Sequence, residues 1–236
     1  MRKSDLKKFI LIILLVTTFL PLFIPRLSSI ENKSVGVFEI SSKFQWNETI
    51  INDGPDEGNS IILDNNGDIL VTGSIYNSSK LTNDLFIIKY SSNGSAKWNS
   101  TWGSSSEDSG VSITVDLSND IYITGYTSIF ENKSYDICLL KYNSLGTLLW
   151  NRTWGGDGVD KGYGVEVDGV GNVYVGGSTK IDNGYDDVIL LKFDAITGNL
   201  LKNTTWGGYY DERAQDIIID SSGNVYLTGY TDNFGA

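Results

Sequence analysis

Hydrophobic and polar residues alternate along much of this chain with a period of two. Residues 111–115 read Val-Ser-Ile-Thr-Val and residues 121–124 read Ile-Tyr-Ile-Thr, which predicts two β-strands with one buried face each. Residues 137–140 form a continuous apolar run, Ile-Cys-Leu-Leu, which is typical of a strand buried on both faces. With a further strand over residues 148–154, the pattern predicts four antiparallel strands joined by short loops.

This pattern returns every 52 residues. The aspartate that ends the first strand recurs as Asp64, Asp116, Asp168 and Asp220. The glycine that ends the second strand recurs as Gly73, Gly125, Gly177 and Gly229. Tryptophans of the fourth strand keep the same interval, as Trp46, Trp98 and Trp150 and as Trp102, Trp154 and Trp206. A fixed period of about 20 to 50 residues is typical of solenoids, propellers and arrays.

Four-stranded antiparallel units without helices favour the propeller among these architectures. We therefore predict an all-β fold, a β-propeller of four-stranded antiparallel blades with about four repeats and incomplete terminal blades. The repeat units lie near residues 46–97, 98–149, 150–201 and, in part, 202–236. Either residues 34–40 supply a degenerate third strand that closes a four-bladed ring, or the chain is a portion of a larger propeller, which we favour.

The first 30 residues differ from the repeats. Residues 1–8 are basic and residues 9–24 carry no charge, which predicts an export signal. The apolar run is short for a spanning helix of about 20 residues, so the segment is either a cleaved signal or a retained anchor. Residues 31–236 are then the propeller repeat domain, secreted or held at the cell surface.

Composition excludes several classes of function. The net charge of -11 repels nucleic acid and anionic lipid, so we expect no nucleic-acid partner and membrane contact only through the N-terminal segment. The absence of histidine removes the usual general base and the commonest transition-metal ligand. We expect a non-catalytic protein. The lone cysteine, Cys138, is predicted to be a buried small hydrophobe.

Acidic residues recur just before the first strand of each unit, as Asp56, Asp108 and Asp160, with Asp211 one residue early. In an antiparallel blade these positions share one face near the axis. Four carboxylates gathered there would bind Ca²⁺ through oxygen ligands. Alternatively, each aspartate caps its own glycine-rich turn, which we favour. No other cofactor is expected.

Positions that the repeats do not share mark a candidate ligand-binding face, because loops on a rigid scaffold are where binding concentrates. They are aromatic or charged and lie in loops of one face: Tyr76, Phe130, Glu131, Tyr135, Tyr185, Tyr209, Tyr210 and Arg213. The expected partner is an extracellular protein or a glycan.

The repeated tryptophans have a structural interpretation. Trp98, Trp102, Trp150, Trp154 and Trp206 are expected to pack between blades; stacking on sugars is the alternative. Among the Asn-x-Ser/Thr sequences, Asn77 and Asn132 lie in variable loops, which makes them the glycosylation candidates of an exported chain.

Three stretches also resemble a known repeat. "VDLSNDIYITGYT", "DICLLKYNSLGTLLWNRTWGG" and "IDSSGNVYLTGYT" are similar to the SBBP-type β-propeller repeat of exported and cell-surface proteins of bacteria and archaea. The resemblance covers roughly residues 46–231. It implies an extracellular module for binding or scaffolding, without shared catalytic residues. The alternatives are a polysaccharide hydrolase or lyase that uses loop carboxylates, and a purely structural surface-layer spacer.

Overall fold

The computed structural model describes residues 10–15, 44–50, 54–128, 134–180 and 184–232. The regular structure of these residues consists of β-strands alone. In this part of the chain no helix is long and apolar enough to cross a membrane. The predicted all-β propeller fold is confirmed.

An antiparallel pair comes first, β1 (Ile10–Leu15) and β2 (Phe44–Ile50). The first blade consists of β3 (Glu57–Leu63), β4 (Ile69–Asn77), β5 (Thr82–Tyr90) and β6 (Ala96–Trp102). The second consists of β7 (Asp108–Val115), β8 (Ile121–Ser128), β9 (Tyr135–Tyr142) and β10 (Leu148–Trp154). The third consists of β11 (Lys161–Val167), β12 (Asn172–Lys180), β13 (Asp186–Asp194) and β14 (Leu200–Trp206), and β15 (Glu212–Ile219) pairs with β16 (Val225–Thr231).

Each blade is an antiparallel meander whose strands pair in chain order. The strands keep the period of the sequence, since β2, β6, β10 and β14 start 52 residues apart at Phe44, Ala96, Leu148 and Leu200. Each sheet begins with a first strand and ends with a fourth strand, whereas the predicted repeat units begin within a fourth strand. The predicted units are therefore shifted relative to the sheets, and unit 98–149 begins on β6, the outer strand of the first blade.

The repeated aspartate closes the hairpin between the first and second strands. Asp116 Oδ1 accepts hydrogen bonds from the backbone N–H groups of Ser118 at 2.8 Å and Asp120 at 2.9 Å. Asp64, Asp168 and Asp220 accept the equivalent pairs. This is the local turn chemistry that makes aspartate a turn residue.

The repeated glycine allows two strands to approach closely at a β-bulge. The register of β7 and β8 shifts between Gly110 and Ser112. A Cβ atom on Gly125 would lie 1.9 Å from the backbone oxygen of Ser109, and the same position in the first blade, Gly73, would meet Glu57 O at 1.8 Å. Because any side chain would displace the neighbouring backbone, only glycine fits there.

Two clusters of the hydrophobic core lie between blades, and a third lies on the first blade alone. At the first interface, between the first and second blades, Leu85 and Ile87 pack with Ile123, Cys138 and Leu140. At the second interface, between the second and third blades, the core residues are Tyr122, Ile137, Leu139, Val165, Val173, Val175, Ile189, Leu191, Phe193 and Ala195. Cys138 is fully buried, as the sequence predicts, and burial raises the pKa of its thiol.

The tryptophans line these interfaces. Trp98 and Trp102 pack against the core of the first interface, and Trp150 and Trp154 against that of the second. Trp206 differs, because its side chain is 62% exposed. Trp206 lies beside the third interface, between the third blade and β15–β16. Within the described residues the sheet that follows the third blade has only these two strands.

The N-terminal strand does not complete the last pair. β2 has the phase of a fourth strand, as predicted, yet it pairs with β1 and not with β16. Extensive contacts between the described blades join sequence neighbours only. Residues 34–40, which the ring-closing interpretation requires, lie outside the described residues.

Candidate functional site

One edge of the propeller collects the ends of the second and fourth strands and the starts of the first and third. Aromatic and basic residues concentrate on this edge in the second and third blades and in β15–β16. We call it the aromatic edge and define it by Tyr126, Tyr135, Lys161, Tyr185, Tyr210 and Arg213. The opposite edge carries the aspartate turns.

The first half of the aromatic edge consists of the Lys161 ammonium group and the rings of Tyr126 and Tyr135. Tyr126 and Tyr135 meet edge to face with centroids 5.1 Å apart. Lys161 Nζ, from the next blade, lies 4.1 Å and 4.4 Å from the two centroids, within the range of cation–π attraction. The Tyr135 hydroxyl donates to Glu107 Oε2 at 2.9 Å.

Burial shifts the pKa values of Lys161 and Tyr135. Burial lowers the pKa of Lys161, which the charge of Glu107 opposes. Burial and the hydrogen-bonded Glu107 raise the pKa of Tyr135 to about 12. Tyr135 is therefore neutral at physiological pH.

The second half of the aromatic edge is more open. Tyr185 and Tyr210 lie with centroids 6.2 Å apart and are 41% and 47% exposed. Beside them Tyr209 is 81% exposed. Arg213 Nε donates to Asp186 Oδ2 at 2.7 Å, so its guanidinium is fixed by an ion pair.

The other predicted face residues have different places. Tyr76 is half-buried, and its ring occupies the space beside Gly54. Asn77 donates its side-chain amide to Asp84 Oδ2 at 2.8 Å, so the nitrogen that a glycan would modify is engaged. Phe130, Glu131 and Asn132 lie outside the described residues.

The repeated acids lie at or just before the start of a first strand and accept hydrogen bonds from backbone N–H groups. Asp108 Oδ2 accepts from the backbone N–H of Ser104 at 2.7 Å, and Asp160 Oδ2 accepts from Gly156 at 3.0 Å. Asp56 accepts from Tyr76 N at 2.8 Å. In the last repeat this position belongs to Glu212, which accepts from Gly208 N at 3.1 Å.

The assignment of Asp211 to this set is therefore corrected. Asp211 instead accepts from the backbone of Asp186 at 2.9 Å. Among the described residues no three acidic side chains come close enough to share a metal ion. The ring of four calcium-binding aspartates, the less favoured interpretation of the sequence, is not assembled by the described residues.

Three residues of this edge escaped the sequence analysis: Glu107, Tyr126 and Lys161. A signal existed for Lys161, because the equivalent positions hold Glu57, Ser109 and Arg213. This variation lies inside a strand, where it resembles ordinary surface drift.

One cavity lies beside Arg213 of the aromatic edge, and another lies far from this edge. A cleft of about 560 Å³ between the third blade and β15–β16 is lined by Trp206, Leu227 and Tyr230. A second, of about 480 Å³, lies at the opposite edge near Leu117 and Glu166. Neither contains the aromatic pairs described above.

Comparison with known proteins agrees with this architecture. The family model described as "SBBP: Beta-propeller repeat" matches residues 100–131 and 207–235. These two stretches are similar to the SBBP repeat. The first match spans parts of the first and second blades, and the second spans the turn after β14 together with β15 and β16. The resemblance inferred from the sequence is confirmed for these two stretches.

No curated protein matches the chain. Among solved structures it is similar to the tail fiber of Staphylococcus aureus phage P68, with 11% sequence identity and a TM-score of 0.28. The alignment covers 77% of this chain and 48% of the tail-fiber chain, so the chain spans about half the length of that protein.

Proposed function

We propose that this protein is an extracellular or cell-surface SBBP module that binds a protein or a glycan through its aromatic edge and performs no catalysis. The observation that carries the proposal is the exposed pair Tyr185 and Tyr210 beside the fixed guanidinium of Arg213. Exposed tyrosines supply large contact area with little loss of side-chain entropy, and both tyrosine and arginine are enriched at binding hot spots.

The geometry of the edge supports recognition rather than reaction. Arg213 is held by an ion pair with Asp186, and Lys161 lies against the rings of Tyr126 and Tyr135. The aromatic rings of the edge present flat faces, which suits stacking on the apolar face of a sugar or on a protein surface. The export segment predicted over residues 1–30 supports a location outside the cell.

A glycan array probed with the full chain tests the proposal. Tyr185→Ser combined with Tyr210→Ser should weaken binding at least about tenfold, since hot-spot residues each contribute more than about 1 kcal/mol. Leu145→Ser combined with Ile196→Ser is the matched control, because both side chains are exposed on the opposite edge. These two substitutions should leave binding unchanged.

Other outcomes favour the alternatives. Release of reducing ends from a polysaccharide would favour the hydrolase or lyase. Equal binding by both double variants would remove the aromatic edge from the proposal. A chain that binds neither glycans nor extracellular proteins would be a structural spacer.

A further inference from the structure

Each interface between blades buries a pair of facing carboxylates. One comes from the start of the third strand of a blade and the other from the start of the next blade. At the first interface a Cβ atom on Gly103 would lie 2.5 Å from both Asp84 Oδ1 and Asp108 Oδ2. At the second interface a Cβ atom on Gly155 would lie 2.3 Å from Asp136 Oδ1 and 2.7 Å from Asp160 Oδ2. The two oxygens of each pair therefore lie close together across a glycine.

At the first interface the structure neutralises the pair with a lysine. Lys80 Nζ lies 2.9 Å from Asp84 Oδ1 and 3.0 Å from Asp84 Oδ2. Asn77 donates to Asp84, Thr127 donates to Asp108 Oδ1, and Ser104 N donates to Asp108 Oδ2. The buried carboxylates are thus paired with a cation and with hydrogen-bond donors.

At the second interface the described residues supply no cation. Asp136 Oδ1 and Asp160 Oδ1 are buried and have no hydrogen-bond partner within the described part of the chain. Asp136 is 7% exposed and Asp160 is 1% exposed. The residue in the repeat position of Lys80 is Asn132, which is uncharged. Asp160 has the repeat position of Asp108. Its Oδ1 lacks the hydrogen bond that Asp108 Oδ1 accepts from Thr127.

Such an arrangement is costly unless a positive charge enters it. Two buried carboxylates at this separation repel each other, and one must take up a proton or face a cation. Burial and the charge of Asp160 raise the pKa of Asp136. Unpartnered carboxylate oxygens from two strands are the hard ligands that Ca²⁺ takes in extracellular modules.

We propose that Ca²⁺ binds between Asp136 and Asp160 at the second interface and does there what the Lys80 ammonium does at the first. The ion joins the third strand of one blade to the first strand of the next. This site differs from the ring of four aspartates considered from the sequence, because it includes Asp136 and lies within one interface. It does not depend on the ligand of the aromatic edge.

The third interface carries a weaker version of the same arrangement. Asp187 Oδ1 is also buried without a partner among the described residues. Its neighbour Glu212, however, accepts from Thr231 Oγ1 at 2.9 Å and from Gly208 N at 3.1 Å, and Arg213 pairs with the adjacent Asp186. We therefore place the calcium site at the second interface alone.

Thermal melting of the full chain in metal-free buffer tests the site. Calcium at about 10 mM is on the order of ten or more times the dissociation constant of extracellular calcium sites. It should raise the melting temperature by about 3 to 8 °C, and NaCl of matched ionic strength should not. Asp136→Asn and Asp160→Asn should each abolish the response. Asp84→Asn, the matched variant of the first interface, should keep it.

A second measurement covers variants that fold poorly. Calorimetric titration of the unmodified chain should show one calcium ion bound per chain, with no binding to Asp136→Asn. An unmodified chain that neither binds calcium nor melts higher with it would overturn the proposal. So would a loss of stability in Lys133→Gln without any calcium response, because Lys133 precedes Asp136 in the sequence and would then be the neutralising charge.

Discussion

The first and second interfaces are built on one plan but differ in the groups that surround their buried carboxylates. Both place an apolar core from two blades beside tryptophans of a fourth strand. Both bring an aspartate of the third strand against an aspartate of the next blade. Only the first holds a lysine there among the described residues, Lys80. The repeat thus fixes packing through backbone and apolar positions, while its buried charge is handled separately at each interface.

Removal of a tryptophan should give the largest effect and show the common plan. Trp102→Ala and Trp154→Ala should each lower the free energy of unfolding by about 2–4 kcal/mol, because both half-buried rings pack against an interface core. Trp206→Ala should cost only about 0.5 kcal/mol, since that side chain is 62% exposed. Urea unfolding of the three variants measures this. Equal costs at all three positions would contradict the contrast.

Removal of the lysine should make the first interface resemble the second. Lys80→Met leaves Asp84 and Asp108 facing each other without a cation. Because the Lys80 side chain is 31% exposed, we expect a loss of about 1–2 kcal/mol, between the values for exposed and buried pairs. In calcium the variant should recover part of that loss. If it recovers nothing although the second interface responds, the two acidic pairs are not equivalent.

The pH dependence should separate the interfaces in calcium-free buffer. The folded-state pKa of Asp136 lies above its ordinary value of 3.8, owing to burial and the charge of Asp160. The folded chain therefore binds this proton more tightly than the unfolded chain does. The stability that the proton contributes is complete below pH 3.8 and is lost as the pH rises through the folded pKa.

Asp136→Asn should accordingly melt higher than the parent at neutral pH without calcium, and the difference should shrink in acid. With calcium present the order should reverse at neutral pH, because only the parent binds the ion. Melting curves from acid to neutral pH, with and without calcium, give both comparisons. A variant less stable than its parent throughout would show that Asp136 is favourably paired.

The smallest expected effect concerns the indole N–H groups. Trp98 Nε1 donates to Ser144 O at 3.3 Å, whereas the buried Trp150 Nε1 has no acceptor among the described residues. Trp98→Phe should therefore cost about 1 kcal/mol more than Trp150→Phe, the value of one hydrogen bond. Thermal unfolding of the two variants checks the difference. A larger loss for Trp150→Phe would mean that this indole has a partner outside the described residues.

The strands and turns could be predicted from the sequence because their signals are local. Alternation identifies a strand within five residues, and the aspartate of each turn bonds to backbone two and four positions ahead. The recurring glycine was visible too. The reason for the glycine is the close approach of Gly125 to the backbone of Ser109 on the paired strand. This approach occurs at a β-bulge, which only the structure shows.

The acidic pairs were not predicted because they join different parts of the repeat. Asp136 and Asp160 belong to neighbouring blades, and the repeat position of Asp136 holds Val188 in the next blade. Asp211 was placed in the set because it keeps the residue type, whereas Glu212 keeps the exact repeat position. Tyr126 and Lys161 form their contact across an interface, which no single strand reveals.

The aspartate turns also bear on how the chain reaches its native state. Each closes a turn of only five residues, with Asp116 bonded to Asp120 through both backbone and side chain. Closing such a short loop sacrifices little chain entropy and takes well under a microsecond. Four equivalent hairpins, begun at Asp64, Asp116, Asp168 and Asp220, offer four separate starting points for folding. Assembly can therefore begin in any repeat and spread to its neighbours, as nearest-neighbour stabilisation allows.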